Sequence, residues 1–189
     1  MSFDVDINEC LKVLKTGGII LYPTDTIWGL GCDATNNAAV AKIYALKNRA
    51  ENKSMIVLLT SENEIEKYCK VPSEKIKTLL LKENRPLTII YPEARELAKN
   101  LISNDGTIAV RIVKDSFCEA LINNLGKPIV STSANISGER SPSCFAEISM
   151  EIISGADYVV SIKRSDTENK TASKIILWNN DDDIVVIRE

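Results

Sequence analysis

The sequence predicts an α/β protein with a mixed sheet, folded as a single domain over residues 1–189. Three observations carry that expectation. Short apolar runs alternate with amphipathic stretches through the first two thirds of the chain, the pattern of alternating strands and helices. The last third is rich in strands, which fits a mixed sheet better than a purely parallel one. No repeat, low-complexity tract or long linker divides the chain, and its length suits one core.

The elements follow in order. Residues 7–15 place Ile7, Leu11 and Leu14 on one helical face, and Gly17-Gly18 stops that helix. Ile19 to Tyr22 reads as a buried strand ending at Pro23, and residues 37–47 as a helix with Ala39, Ile43 and Leu46 on one side. Met55 to Leu59 is an apolar strand. Ser61 with Glu64 forms a capping box for a helix carrying Ile65 and Tyr68, and another helix follows Ser73 with Ile76, Leu79 and Leu80. Leu87 to Tyr91 is strand-like, Glu93 to Leu101 helical, and Thr107 to Val113 strand-like again. Ser116 with Glu119 caps a helix that Gly126 ends, and Pro128 to Ser131 forms a short strand running into a polar turn. Three strands close the pattern: Tyr158 to Ile162, Ser173 to Trp178 and Ile184 to Arg188, with residues 179–183 as a hairpin loop.

Composition excludes several function classes. The chain holds no histidine, so triad hydrolases and histidine-based metalloenzymes are out, and chemistry must run on carboxylates, hydroxyls, amides, Lys and Arg. Its five cysteines, at 10, 32, 69, 118 and 144, form no Cys-x-x-Cys pair and suggest reduced, structural thiols. The formal net charge of −3 argues against a surface that coats nucleic acid, so any phosphate contact must come from a local basic patch. No apolar run approaches the roughly 18 residues of a membrane span. The acidic start, Met1-Ser2-Phe3-Asp4, lacks a signal-peptide pattern, which makes the cytoplasm the expected compartment.

Four strand ends carry polar clusters. The first, Tyr22-Pro23-Thr24-Asp25-Thr26 leading to Gly29-Leu30-Gly31, opens where open α/β sheets bind ligands, although a capped turn would look alike. The second, Lys47-Asn48-Arg49 and onward to Lys53, follows a helix. It reads either as a charge run matched to the helix dipole or as a phosphate clamp. The third places Thr107, Ala109 and Arg111 on one strand face, where a cation inside an apolar strand needs an anion, either a ligand's or an internal carboxylate. The fourth, Ser131-Thr132-Ser133-Ala134-Asn135-Ile136-Ser137-Gly138, holds more hydroxyl and amide groups than one helix cap requires. No Gly-x-Gly-x-x-Gly or Walker phosphate loop is present, so a nucleotide would bind by other means.

Taken in order, these clusters resemble the YrdC-like family of threonylcarbamoyl-AMP synthases, in its single-domain form, from about residue 7 to Arg188. The stretches that carry the resemblance are Tyr22-Pro23-Thr24-Asp25-Thr26, Gly29-Leu30-Gly31, Lys47-x-Arg49, Arg85-Pro86-Leu87-Thr88, Val110-Arg111, Ser133-Ala134-Asn135 with Ser137-Gly138, and Arg188. The resemblance implies a twisted open mixed parallel/antiparallel sheet with flanking helices and a large, positively lined concave cavity. It implies a nucleotidyltransferase that condenses L-threonine, bicarbonate and ATP into threonylcarbamoyl-adenylate and pyrophosphate. Downstream transferase proteins would then carry the group to tRNA. By position it implies a nucleotide site of Lys47, Arg49, Lys53, Thr107, Ser133, Asn135 and Arg188, with Lys47 and Arg49 catalytic. Thr26, Arg111 and Ser173 would bind threonine. Mg²⁺ would arrive with ATP, and no dedicated metal residues are expected. The chain carries Leu58 where the family often has His, Ala50 and Ser54 where it often has Pro, Lys53 where it often has Asn, and Ser173-Lys174 in place of its late Ser-Thr pair.

Two other readings fit parts of the pattern. A relative using a different amino acid would release pyrophosphate with serine or glycine rather than threonine. A module that binds double-stranded RNA without catalysis would shift RNA in a salt-dependent way and release none.

Overall fold

A computed structural model describes residues 3–50, 55–166, 170–179 and 183–189. Among these residues, nine strands join in one open sheet: β1 (Ile20–Tyr22), β2 (Gly29–Gly31), β3 (Ile56–Leu59), β4 (Leu87–Tyr91), β5 (Ile108–Ile112), β6 (Ile129–Ser133), β7 (Tyr158–Val159), β8 (Lys174–Trp178) and β9 (Ile184–Arg188). Their order is β7-β1-β2-β6-β3-β5-β4-β8-β9. The pairs β1–β7, β3–β5 and β4–β8 are parallel and the others antiparallel, so the sheet is mixed, as the strand-rich last third predicts, and unclosed, as the resemblance implies.

Among the described residues six α-helices flank it: α1 (Phe3–Lys15), α2 (Asn37–Leu46), α3 (Ile65–Tyr68), α4 (Glu74–Lys82), α5 (Ser116–Leu125) and α6 (Met150–Gly155). α1 buries Ile7, Cys10 and Leu14, and Gly17 at φ 74° lets the Gly18 N–H return to the Val13 carbonyl at 2.9 Å. α5 buries Phe117, Cys118, Leu121 and Ile122, and the Phe3 ring meets Phe117 edge-on at 5.5 Å.

The structure corrects two expectations and adds two elements. Glu93 to Leu101 is not a helix: Glu93 and Glu96 sit at φ 60° and 54°, in left-handed backbone, and only Lys99–Leu101 makes a 3₁₀ turn. The Arg95 guanidinium holds that detour by donating to the Glu66 and Cys69 carbonyls at 2.6 and 2.7 Å. α5 is capped by Asp115 rather than by Ser116, which is its first helical residue; Asp115 Oδ1 accepts from the N–H groups of Phe117 and Cys118. β2 and α6 are the additions, too short for a periodic signal in the sequence. Gly31 of β2 is confined to glycine because the Tyr22 ring and the Val130 carbonyl crowd it. A Cβ on Gly31 would lie 2.6 and 2.7 Å from those atoms.

One buried carboxylate ties the two ends of the fold together. Asp6 accepts from the Tyr158 hydroxyl, from Ser161 N–H and Oγ, and from Ile162 N–H, at 2.6 to 3.1 Å. Burial pushes the Asp6 carboxyl up, but these hydrogen bonds outweigh it and hold it below the ordinary carboxylate range. The resulting stabilisation is complete above the unfolded pKa of about 3.9 and is lost as pH falls through the lower folded value. Asp6→Asn is therefore expected to cost about 2–3 kcal/mol at pH 7 and progressively less towards pH 3, read from urea midpoints at both pH values.

Candidate functional site

The cleft crosses the middle of the sheet, where the ends of several strands meet. β6 runs antiparallel to β3, so its polar end, Ser131 to Ser133, lies beside the start of β3, with Ile56 opposite Ser131. β5 runs parallel to β3 and brings Arg111 alongside Leu58 and opposite Thr88 of β4. The β1–β2 loop adds Thr26, Ile27 and Trp28, and the far edge of the sheet adds Ser173 and Arg188. Together with Arg49 and Ser141 these residues enclose a cavity of about 170 Å³. Three arginines line it and, among the described residues, no carboxylate does. In a chain of net charge −3, that concentrates positive potential in one place.

Arg111 is buried in this wall. Its Nη2 lies 3.1 Å from Asp25 Oδ1, and its Nη1 donates to Thr26 Oγ1 at 3.1 Å. The Asp25 contact is not directed along an N–H bond, and Arg111 Nε and Nη2 have no hydrogen-bond acceptor among the described residues. Buried guanidinium donors left without acceptors are costly, so the arrangement suits an incoming carboxylate or phosphate, which a guanidinium takes with two parallel bonds. Asp25 Oδ2 in turn accepts from Lys114 N–H at 3.3 Å.

Arg188, at the end of β9, forks Nε and Nη2 onto the Ser173 carbonyl at 3.0 and 2.7 Å. Ser173 Oγ shares a 2.7 Å hydrogen bond with Thr88 Oγ1. Burial, then the nearby Arg111 charge, pulls the Arg188 pKa down, and burial does the same to Arg49; both groups start so high that they stay cationic.

Lys47 lies behind the cleft wall rather than in it. Its side chain is buried, and Nζ donates to the carbonyls of Ser133 and Asn135, while its own carbonyl accepts from Ser137 N–H at 2.8 Å. Asn135 turns its amide nitrogen to the Ile136 and Glu139 carbonyls, leaving a buried Oδ1 without a donor. Burial, helped by Arg49, lowers the Lys47 pKa to about 8. A bound polyanion would raise it again. Below pH 8 the ammonium is charged with or without ligand, so anion affinity should be flat. Above pH 8 binding must take up a proton, and Kd is expected to rise up to about tenfold per pH unit. Calorimetric titration of ATP at pH 7 to 9.5, in buffers of different ionisation enthalpy, reads both the slope and the proton uptake.

The structure thus brings Thr26, Arg49, Arg111, Ser133, Ser173 and Arg188 together around one cavity, with Lys47 and Asn135 directly behind Ser133. It does not bring Thr107 there: that hydroxyl donates to Asp105 at 2.7 Å, ahead of β5. Lys53 lies outside the described residues. Leu58 is fully buried, packed on the face of β3 that follows Ile56 into the cleft. Sequence reasoning missed Trp28, Thr132 and Ser141 as lining groups. Trp28 and Ser141 come from loops with no periodic signal, and Thr132 sat within a cluster whose capping role fitted equally well. A larger, more apolar hollow of about 480 Å³ lies between Leu80, Leu81 and Ile112, lined by acidic and basic side chains together. Among the described residues no helix is long and apolar enough to cross a membrane, and no group of three or more His, Cys, Asp or Glu could hold a metal ion.

Over residues 12–189 the chain matches the Sua5_yciO_yrdC family model, described as telomere recombination. It is 33% identical over 163 residues to a protein of Pseudoalteromonas translucida (strain TAC 125) named threonylcarbamoyl-AMP synthase, covering 85% of this chain and 87% of that one. A protein of Hydrogenovibrio crunogenus with the same name is 35% identical over 137 residues, 70% of this chain and 74% of its own. Among solved structures, P. abyssi Sua5 (H234A/Y235A) superposes with a TM-score of 0.88 at 23% identity. It covers all of this chain, which spans 57% of that longer one. E. coli YciO gives a TM-score of 0.80 at 24% identity, covering 100% of this chain and 90% of its own. At these identities the two structures establish the fold.

Proposed function

We propose, for a chain that belongs to the Sua5–YciO–YrdC family, the threonylcarbamoyl-AMP synthase reaction: L-threonine, bicarbonate and ATP give threonylcarbamoyl-adenylate and pyrophosphate. The observation that carries this reading is the cleft itself, lined by three arginines and no described carboxylate, with two buried donors of Arg111 unfilled. It suits substrates that together bring a carboxylate and a triphosphate.

Arg111 takes the threonine carboxylate, with Thr26 and Ser173 beside it. Arg49 and Arg188 line the cleft for the nucleotide phosphates, and Lys47 adds a buried positive charge behind Ser133 and Asn135. Lys53 belongs to the nucleotide contacts in this reading by its place in the sequence, whereas Thr107, held by Asp105 ahead of β5, drops out of it. The amine and bicarbonate form a carbamate, whose oxygen attacks the α-phosphate as pyrophosphate leaves. A transfer of this kind depends on positioning and on charges fixed where negative charge develops, which needs no histidine. Mg²⁺ enters with the triphosphate as part of the substrate. The product, a mixed anhydride, passes to transferase proteins and tRNA in the cytoplasm.

Pyrophosphate release from ATP with bicarbonate tests the reading directly. Release that requires both threonine and bicarbonate is the expected result. Release with serine or glycine instead would move the substrate, and none under any condition would overturn the activity.

A further inference from the structure

The loop from Thr24 to Ile27 fixes the direction of a hydrogen-bond chain that ends in the cleft. Thr24 Oγ1 lies 2.8 Å from the Ile27 carbonyl, and a carbonyl only accepts, so the single hydroxyl proton of Thr24 goes there. Thr24 Oγ1 then accepts from Thr26 N–H at 3.0 Å and from the Thr26 hydroxyl at 2.9 Å, since the latter pair needs one proton between its oxygens. Arg111 Nη1 donates to Thr26 Oγ1 at 3.1 Å, guanidinium having no acceptor to offer. Thr26 therefore commits its proton to Thr24 and one lone pair to Arg111. A single lone pair remains on a residue that lines the cleft, whereas Thr24 is 2% exposed and does not line it.

We propose that Thr24 is a positioning residue that makes Thr26 an obligate acceptor, so that the cleft reads a substrate N–H at Thr26 and a carboxylate at Arg111. This rests on the amino-acid-activating reading above. A carboxylate oxygen at Thr26 would set lone pair against lone pair. An amino nitrogen suits both stages of carbamate formation. The free amine donates one N–H to Thr26 while its own lone pair attacks the bicarbonate carbon. One N–C bond forms, and one C–O bond breaks as hydroxide leaves with an amine proton as water. The carbamate of a primary amine keeps one N–H, which stays on Thr26. The carbamate of a secondary amine has none, so the site selects primary amino acids.

The test compares threonine with N-methylthreonine in wild type, Thr24→Val and Thr24→Ser, by calorimetric binding and by pyrophosphate release, with denaturation midpoints as a fold control. Wild type is expected to prefer threonine in kcat/KM by about tenfold, the worth of one hydrogen bond. Thr24→Val should raise the threonine KM about tenfold, leave the ATP KM within about twofold, and shrink that preference to about threefold or less. Thr24→Ser should restore wild-type behaviour. Steric exclusion of the methyl group would leave the preference intact in Thr24→Val, so that outcome overturns the proposal, as does a wild type indifferent to N-methylation even if Thr24→Val fails to fold. A wild type that binds no threonine and releases no pyrophosphate overturns the underlying reading instead.

Discussion

Lys47→Ala is expected to lower kcat/KM for threonine-dependent pyrophosphate release by about 10²–10³-fold, the scale set by losing one preorganised charge at a developing anion. The side chain is buried, and its ammonium donates to the Ser133 and Asn135 carbonyls behind the cleft. Removing it takes a fixed positive charge from behind the cleft wall. It also leaves those carbonyls without their donor, at a cost of about 1–3 kcal/mol in stability. The two effects separate by experiment. ATP affinity and turnover should fall far more than the denaturation midpoint. A folded Lys47→Ala protein with turnover within about fivefold of wild type would remove Lys47 from the catalytic site.

Arg111 carries the second large effect. Arg111→Lys keeps a cation against Asp25 but loses the planar fork, so threonine KM is expected to rise about 10- to 100-fold with little change in ATP binding. Arg111→Ala goes further, because Asp25 becomes a carboxylate with its counter-charge gone in a largely buried site. That variant should lose about 3–5 kcal/mol of stability. Threonine kinetics for the Lys variant and urea denaturation for the Ala variant distinguish the binding role from the structural one. Unchanged threonine KM in Arg111→Lys would mean that the carboxylate sits elsewhere.

How much of this was legible in the sequence depended on whether the signal was periodic. Leu87–Tyr91 and Ile184–Arg188 emerge with the bounds their apolar runs announce. Arg111 stood out because a cation on an apolar strand demands an explanation, and the structure supplies Asp25 and Thr26. β2 was invisible because its two glycines, one of them crowded by Tyr22 and Val130, look like a turn. The Glu93–Leu101 stretch has helical composition, yet long-range contacts override it: Ala98 N–H reaches the Ala34 carbonyl at 2.9 Å and Arg95 spans to Glu66 and Cys69. The membership of Lys47 in the cluster around Ser133 and Asn135 could be named from sequence. Its burial behind that loop could not, because burial depends on partners more than eighty residues away.

The wiring of the sheet also bears on how the protein is made. β1 pairs with β7, the Ile19 N–H donates to Asp157 at 2.8 Å, and Asp6 waits for Tyr158, Ser161 and Ile162. During synthesis the first helix and strand therefore leave the ribosome long before their partners exist. Such distant pairings slow folding and lengthen the time that apolar surface stays exposed to chaperones. The cleft follows the same schedule, since Thr26 emerges early and Arg188 only with the final strand. The lining of the cleft is therefore complete only once β9 has paired with β8.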